Sequence, residues 1–289
     1  MFKKLVIFGV GLIGGSAALA LRKAGAVRHI VGMDRNNEML EEALRLGVID
    51  EAAHGTDCVS DADIVLLAVP VAQMGPLMAA IAPYLSPGTI VTDVGSTKAD
   101  IIDAARANLG KHLPHFVPGH PIAGTEKNGV TAASAQLYEG CNAVLTPMAE
   151  TEEAAIETVR TLWQTCGARV STMPAEAHDR IFAAVSHLPH LLAFAMIDGI
   201  SWRTNAEQLF GFAASGFRDF SRIAGSSPEM WRDICLANRD ALLIELDAYL
   251  AQLSRLRQMV AAGDGAALEM LFKNASEARN TWVRNFEKQ

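Results

Sequence analysis

Lys4-Leu5-Val6-Ile7-Phe8-Gly9-Val10-Gly11-Leu12-Ile13-Gly14-Gly15 is the stretch from which the rest of the chain can be read. Leu5 to Gly9 reads as a buried strand entering a G-x-G-x-x-G turn (Gly9, Gly11, Gly14), and a helix should follow from about Gly14 to Lys23. Gly9 permits the tight turn, Gly11 admits backbone close to a pyrophosphate, and Gly14 lets helix and strand pack closely. Leu12 and Ile13 lie where the helix N-terminus offers free N–H groups and a positive dipole end to phosphates. A second strand, Ile30 to Met33, ends in Asp34, twenty residues beyond Gly14, where an acid takes the ribose hydroxyls of NAD. Asp34 would repel a 2′-phosphate and adjacent Arg35 would accept one, so the reading favours NAD, with NADP the alternative. A glycine turn that packs and binds nothing is the competing reading.

Outward from this unit, apolar runs alternate with helical patterns for the first 170 or so residues. Further strands are expected at Ile64–Val69, Ile90–Asp93, Phe116–Val117, Ala143–Leu145 and Arg169–Thr172, with helices near 37–46, 72–84, 98–109 and 151–166. Strands this apolar, alternating with helices, imply a parallel sheet covered on both faces and a ligand crevice at the strands' carboxyl ends, where Val69-Pro70 and Gly95-Ser96 fall. After Met173-Pro174 strand signals vanish, and helices are expected at about 175–203, 206–214, 228–262 and 264–286. The expectation is therefore an α/β doubly wound dinucleotide-binding domain over 1–172, then an all-α substrate and dimerisation domain over 173–289. Leu242, Leu246, Tyr249, Leu253, Leu256 and Val260 recur at spacings of 4 and 3, a seam for another helix, and pairing of this half across a homodimer is favoured.

The chain has 289 residues, half of them apolar, and a net charge of −7 shared between both halves. No basic stripe appears, which argues against a nucleic-acid partner. Cys58, Cys141, Cys166 and Cys235 are widely separated, so neither a zinc knuckle nor a disulfide framework is indicated. There is no signal-peptide pattern and no run of about 18 uninterrupted apolar residues, so no membrane span and a cytoplasmic location are expected.

Chemistry concentrates in three places. Pro118-Gly119-His120-Pro121-Ile122-Ala123-Gly124-Thr125-Glu126 follows a strand and should lie as a loop at the carboxyl edge, where a histidine of restricted backbone freedom suits a general base. A histidine tied to the backbone of a structured loop reads equally well. Ser96 reads first as a helix N-cap, which leaves its hydroxyl open to substrate. His178-Asp179 and Ser186-His187-Leu188-Pro189-His190 lack a zinc spacing, so no metal is expected; His187 and His190 fall near one helical face, able to meet a substrate carboxylate. Arg222, in Arg218-Asp219-Phe220-Ser221-Arg222, could grip a carboxylate or pair structurally with Asp219.

Together, Gly119-His120-Pro121-Ile122-Ala123-Gly124-Thr125-Glu126-Lys127-Asn128-Gly129, Ser186-His187-Leu188-Pro189-His190, and Phe217-Arg218-Asp219-Phe220-Ser221-Arg222-Ile223-Ala224 with Met230-Trp231-Arg232-Asp233 resemble the prephenate dehydrogenases, the cyclohexadienyl dehydrogenases of tyrosine biosynthesis. The resemblance runs in order through nearly the whole chain. It implies NAD(P)-dependent oxidative decarboxylation of prephenate or arogenate, in which His120 takes the ring hydroxyl proton as hydride leaves and Ser96 hydrogen-bonds the same hydroxyl. It further implies that Arg222 and His190 hold substrate carboxylates beside Ser186. Glu126, Asp219 and Arg222 would form a charged gate, part of it contributed by the other subunit, and Thr125 and His178 would join the substrate-binding set. Relative to longer relatives, no chorismate mutase segment precedes Met1 and no regulatory ACT-type domain follows, so tyrosine feedback would act at the active site.

Two rivals are weighed against this. Another reductase of the same plan, a β-hydroxyacid dehydrogenase or imine reductase, would rely on a lysine or small hydroxyl in the helical half. A non-catalytic dinucleotide sensor would keep the glycines but have no use for His120, His190 and Arg222.

Overall fold

The computed structural model describes residues 1–124 and 127–286. The chain divides into two compact units, Met1–Ala241 and Leu242–Gln289. In the first, β1 (Phe2–Phe8), β2 (Val27–Met33), β3 (Glu51–Ala52), β4 (Ile64–Leu67), β5 (Ile90–Asp93) and β6 (Phe116–Val117) form a parallel sheet in the order β3-β2-β1-β4-β5-β6. This is the doubly wound order that reverses direction beside β1, where a ligand crevice opens at the carboxyl edge. Helices α1 (Leu12–Lys23), α2 (Asn37–Arg45), α3 (Val71–Ile81), α4 (Ala99–Asn108) and α5 (Glu153–Thr165) cover it.

The strands show why the sequence chose this sheet. Along β1, Leu5 and Ile7 enter one core with Leu21 of α1 and Val159, Leu162 and Trp163 of α5. Val6 and Phe8 enter the opposite core with Met74 and Met78 of α3 and Ile101 of α4. Alternate side chains point to opposite faces, so a run with both faces buried has to be apolar throughout.

Three expectations are corrected here. Ala143–Leu145 and Arg169–Thr172 do not join the parallel sheet. They belong to β8 (Asn142–Leu145) and β9 (Arg169–Thr172) of a separate three-stranded sheet, ordered β7-β8-β9, in which β7 pairs antiparallel with β8. Its β7 is Gly119–Pro121, the segment read as a loop. Helix α1 also begins at Leu12, two residues earlier than expected, because Gly11 already stands as its N-cap in extended conformation.

Past Met173 the first unit is helical. It holds α6 (Ala175–Phe182), a π-helical turn Ala183–His187, α7 (Leu188–Ser201), α8 (Ala206–Gly211), α9 (Ser215–Ser221), a 3₁₀ turn Arg222–Gly225 and α10 (Pro228–Ala237). Trp231 and Ile234 of α10 complete the core against α3 and α4, so the packing division after Ala241 and the change of element type near 173 are different features. Residues 175–201 run as one helix, with an apolar window of mean hydropathy 1.5, long and apolar enough to cross a bilayer, which qualifies the expectation drawn from uninterrupted apolar runs. Its buried His178, Asp179 and His187 are hydrogen-bonded to His120, to the amides at the start of α4 and to Asn238 respectively, partners that lipid cannot supply.

Helix α11 (Arg239–Ala262) leads into the second unit, which also holds α12 (Gly265–Phe286). Leu243, Ile244, Leu250, Leu253 and Val260 of α11 and Met270, Phe272 and Trp282 of α12 are all at least 41% exposed, an apolar load larger than a free helical pair normally shows to water.

Candidate active site

The carboxyl edge of the sheet is built from four consecutive strand ends. Gly9 follows β1 with φ +91, and a Cβ there would lie 2.3 Å from the Ala68 carbonyl oxygen that follows β4. A Cβ on Gly14 would meet the Gly9 carbonyl oxygen at 2.1 Å, so both glycines are required for close packing of strand, turn and helix. Gly11 differs: nothing lies within 4 Å of its Cβ position. That opening sits at the uncapped N-terminus of α1, where the free amides of the first turn point, and this combination fits a dinucleotide pyrophosphate. Leu12 and Ile13 form that first turn, with the Ile13 carbonyl fixed by the Tyr138 hydroxyl at 2.6 Å.

At the end of β2, Asp34 Oδ2 accepts the Val10 amide and Oδ1 the Asn36 amide, each at 3.0 Å. The carboxylate is thus locked beside the glycine turn with lone pairs to spare for ribose hydroxyls. Arg35 next to it is exposed, while Val69 and Pro70 lie half-buried between β4 and α3. On the sequence pattern a diphosphate-ribose would be held by Gly9, Gly11, Leu12, Ile13, Gly14 and Asp34, and the bound nicotinamide would supply the hydride acceptor.

Beyond β5 the edge is organised by a buried ion pair that the sequence reading missed. Asp93 and Lys98 have fully buried side chains and pair with one another. Asp93 also accepts the amides of Gly95 (2.7 Å) and Gly119 (3.1 Å), and Lys98 Nζ donates to the Gly119 carbonyl at 2.8 Å. One acid and one lysine therefore clamp the turn bearing Ser96 and the strand bearing His120.

Ser96 is not the cap of α4. The helix starts at Ala99, and its first amides, Lys98 N and Ala99 N, are taken by Asp179 Oδ1 and Oδ2 at 2.9 Å each. A carboxylate arriving from α6 thus replaces a local cap and supplies the negative charge favoured at a helix N-terminus. Half-buried Ser96 is left in the turn, with its backbone against His187.

His120 stands mid-β7 with Nδ1 2.8 Å from Nε2 of His178, whose Nδ1 meets Asp179 Oδ1 at 2.8 Å. Burial pushes His120 well below 6.5, reinforced by His178, Lys98 and His187, so the ring is neutral and can accept a proton. His178 is fully buried with both ring nitrogens engaged, which leaves neither for the substrate contact expected of it.

His187 is also fully buried and is pushed down to about 4 by desolvation; its Nδ1 accepts from Asn238, whose Nδ2 also binds the Asp179 carbonyl. It braces the site from a fully buried position. Half-buried His190 stacks on Trp231 (centroids 3.6 Å, planes 18° apart) and donates from Nδ1 to the Ser186 carbonyl at 2.9 Å. Burial lowers its pKa despite the Ser186 bond, and the nearby Arg222 charge adds to the depression. Ser186, His190 and Arg222 thus come together as expected, with Trp231 as an unforeseen wall. Asp219 is exposed on α9 and pairs with Arg218 at 3.7 Å. Thr125 and Glu126 lie outside the described residues.

The π turn explains how Ser186, His187 and His190 share this corner. The Leu188 amide reaches back five residues to Ala183, just before Pro189, which has no amide to give.

Residues 17–172 match the family model described as prephenate dehydrogenase, nucleotide-binding domain, and 174–274 match prephenate dehydrogenase, dimerization domain. The chain is 39% identical to a cyclohexadienyl dehydrogenase of Zymomonas mobilis over 96% of both chains, and 38% identical to a prephenate dehydrogenase of Bacillus subtilis, covering 96% of this chain and 75% of that one. Among solved structures, Aquifex aeolicus prephenate dehydrogenase with hydroxyphenyl propionate and NAD+ superposes with a TM-score of 0.90 at 36% identity, covering 96% of this chain and 98% of that one. Synechocystis arogenate dehydrogenase gives 0.78 at 30% identity, covering 96% and 99%. A glycine turn fit for a dinucleotide, a buried neutral histidine on a strand clamped to the end of β5 and matches along nearly the whole chain agree: this chain belongs to the prephenate dehydrogenase family.

Proposed function

We propose that this oxidoreductase carries out NAD(P)-dependent oxidative decarboxylation of prephenate, arogenate or both in tyrosine biosynthesis, in the cytoplasm. The observation that carries the reading is His120, a buried neutral imidazole tethered through Nδ1, on a strand that Asp93 and Lys98 clamp to the end of β5. His120 accepts the ring hydroxyl proton while the hydride departs from the carbon bearing that hydroxyl. The ring carboxylate then leaves as carbon dioxide, its bond pair aromatises the ring, and the resulting phenolate takes the proton back. Ser96 binds the same hydroxyl, and Arg222 and His190, with Ser186 beside them, hold carboxylates; Thr125 and Glu126 join this set by family resemblance alone. Asp219 belongs to the entrance.

Residues 1–172 serve as the cofactor half and 173–289 as the substrate and dimerisation half, a division supported by the limits of the two family models. Homodimer formation through the helical half is supported by its match to a dimerization domain and by the exposed apolar residues of α11 and α12.

The deciding experiment follows reduced-cofactor absorbance with prephenate and with arogenate, each paired with NAD and NADP. Turnover is expected with at least one ring substrate and fastest with NAD. Turnover with neither ring compound, but with a β-hydroxyacid, would transfer the chain to the rival reductases.

NAD preference is supported by Asp34, whose carboxylate is held beside the glycine turn, since an acid after the second strand repels a 2′-phosphate. Asp34→Ser should therefore raise kcat/KM for NADP relative to NAD. An unchanged ratio would assign the choice to Arg35 or the surrounding turn.

A further inference from the structure

We propose that His178 and Asp179 are positioning residues that set the tautomer of His120, keeping its proton on Nδ1 and leaving Nε2 bare to receive the substrate's. The inference takes from the proposed function only what Nε2 is for; the tautomer itself follows from the hydrogen bonds.

Asp179 fixes the polarity of the chain. Burial pushes its carboxyl up, but hydrogen bonds from His178 and from the Ala99 and Lys98 amides hold it below the usual range. It is a carboxylate that accepts at every contact, so His178 Nδ1 must donate to it. Burial keeps His178 neutral in spite of that carboxylate, and a neutral imidazole protonated at Nδ1 has a bare Nε2. The 2.8 Å contact from that atom to His120 Nδ1 then requires the hydrogen to sit on His120. Phe182 packs against both rings, at 4.9 Å from His120 and 4.4 Å from His178, and limits their rotation.

The remaining charged and titratable neighbours reinforce this arrangement. Lys98 and His187 both disfavour an imidazolium at His120, while Asp93 is engaged by Lys98. A carboxylate bonded directly to His120 would orient the ring but would also favour its charged form. Interposing a neutral imidazole keeps the orientation and leaves the base uncharged. Asp179 also caps α4, so the same carboxylate that polarises the histidines anchors the helix after Ser96.

The test reverses the chain. In Asp179→Asn the amide NH₂ can donate to His178 Nδ1, which moves the His178 proton to Nε2 and the His120 proton to its own Nε2, blocking the base. Turnover should fall by about 10²–10⁴-fold, as expected for a base in the wrong tautomer, with KM and NAD binding nearly unchanged. His178→Gln, whose amide oxygen can still accept from His120 Nδ1, should keep much more activity than Asp179→Asn. Equal loss in both, or a loss confined to KM, overturns the proposal in favour of a structural or substrate-contact role.

A second reading needs no turnover and does not depend on the Asp179 variant folding. Nitrogen–proton correlation of the imidazoles in the full, unsubstituted chain, with His120 assigned by its absence in His120→Asn, should show its proton on Nδ1. A proton on Nε2 overturns the proposal whatever the substrate proves to be, whereas Nδ1–H with no activity on either ring compound would count against the proposed function alone.

Discussion

Replacing His120 with asparagine is expected to lower kcat by about 10²–10⁴-fold, the usual worth of a positioned general base, while NAD binds as before. The two effects separate because the proposed cofactor contacts are the turn Gly9–Gly14 and Asp34, whereas the hydrogen bond of His120 goes to His178. Asparagine cannot take up a proton in the working pH range. Steady-state turnover and a fluorescence titration of cofactor binding check both halves of the expectation. A variant that turns over at the full rate would remove His120 from the chemistry. The pH profile of the unsubstituted protein carries a matching signature. Burial, then His178, Lys98 and His187, hold His120 below 6.5, so its active neutral form persists into mild acid. The acid limb of kcat/KM should therefore lie below pH 6.5, activity falling as pH drops through the lowered value. A limb above 6.5 would point to a different group.

Much of this could be read from sequence, and the remainder failed for definite reasons. The strands of the parallel sheet were legible because both faces are buried, which forces runs such as Leu5-Val6-Ile7-Phe8 and Ile64-Val65-Leu66-Leu67. The glycine turn and Asp34 were legible because their spacing is set by one local unit. Strand β7 was hidden because Gly119 and Pro121 are poor strand formers, and its pairing partner, β8, lies more than twenty residues away. Pro121 is tolerated because β7 is an edge strand. Ser96 looked like a cap because local sequence cannot reveal that Asp179 arrives from α6 to take those amides. His178 was placed against substrate because its resemblance marks the position and cannot say where its nitrogens point. Lys98 was passed over altogether: lysines are rarely fully buried, and only the fold shows it enclosed with Asp93.

That enclosure makes Lys98→Met the substitution with the largest expected cost to stability. Methionine fills similar volume but leaves the Asp93 carboxylate buried with only the Gly95 and Gly119 amides for partners. Removing one member of a buried pair costs about 3–5 kcal/mol, because the orphaned charge keeps its desolvation penalty and loses its attraction. Urea unfolding should show the midpoint shifted with little change in slope. The double variant Asp93→Asn with Lys98→Met should recover part of the loss, since no charge is orphaned and the asparagine oxygen can still accept one amide. It should not recover all of it, because Asp93 accepts two backbone amides as well as the lysine, and Lys98 also donates to the Gly119 carbonyl. A cost for Lys98→Met below about 1 kcal/mol would show the pair behaving like a solvated surface bridge. The stability and activity losses should moreover track one another. The carbonyl that Lys98 holds belongs to the residue before His120, and its charge is one of the influences keeping that imidazole neutral. Loosening the clamp therefore frees the strand that carries the base and also removes one of the influences that hold its pKa down.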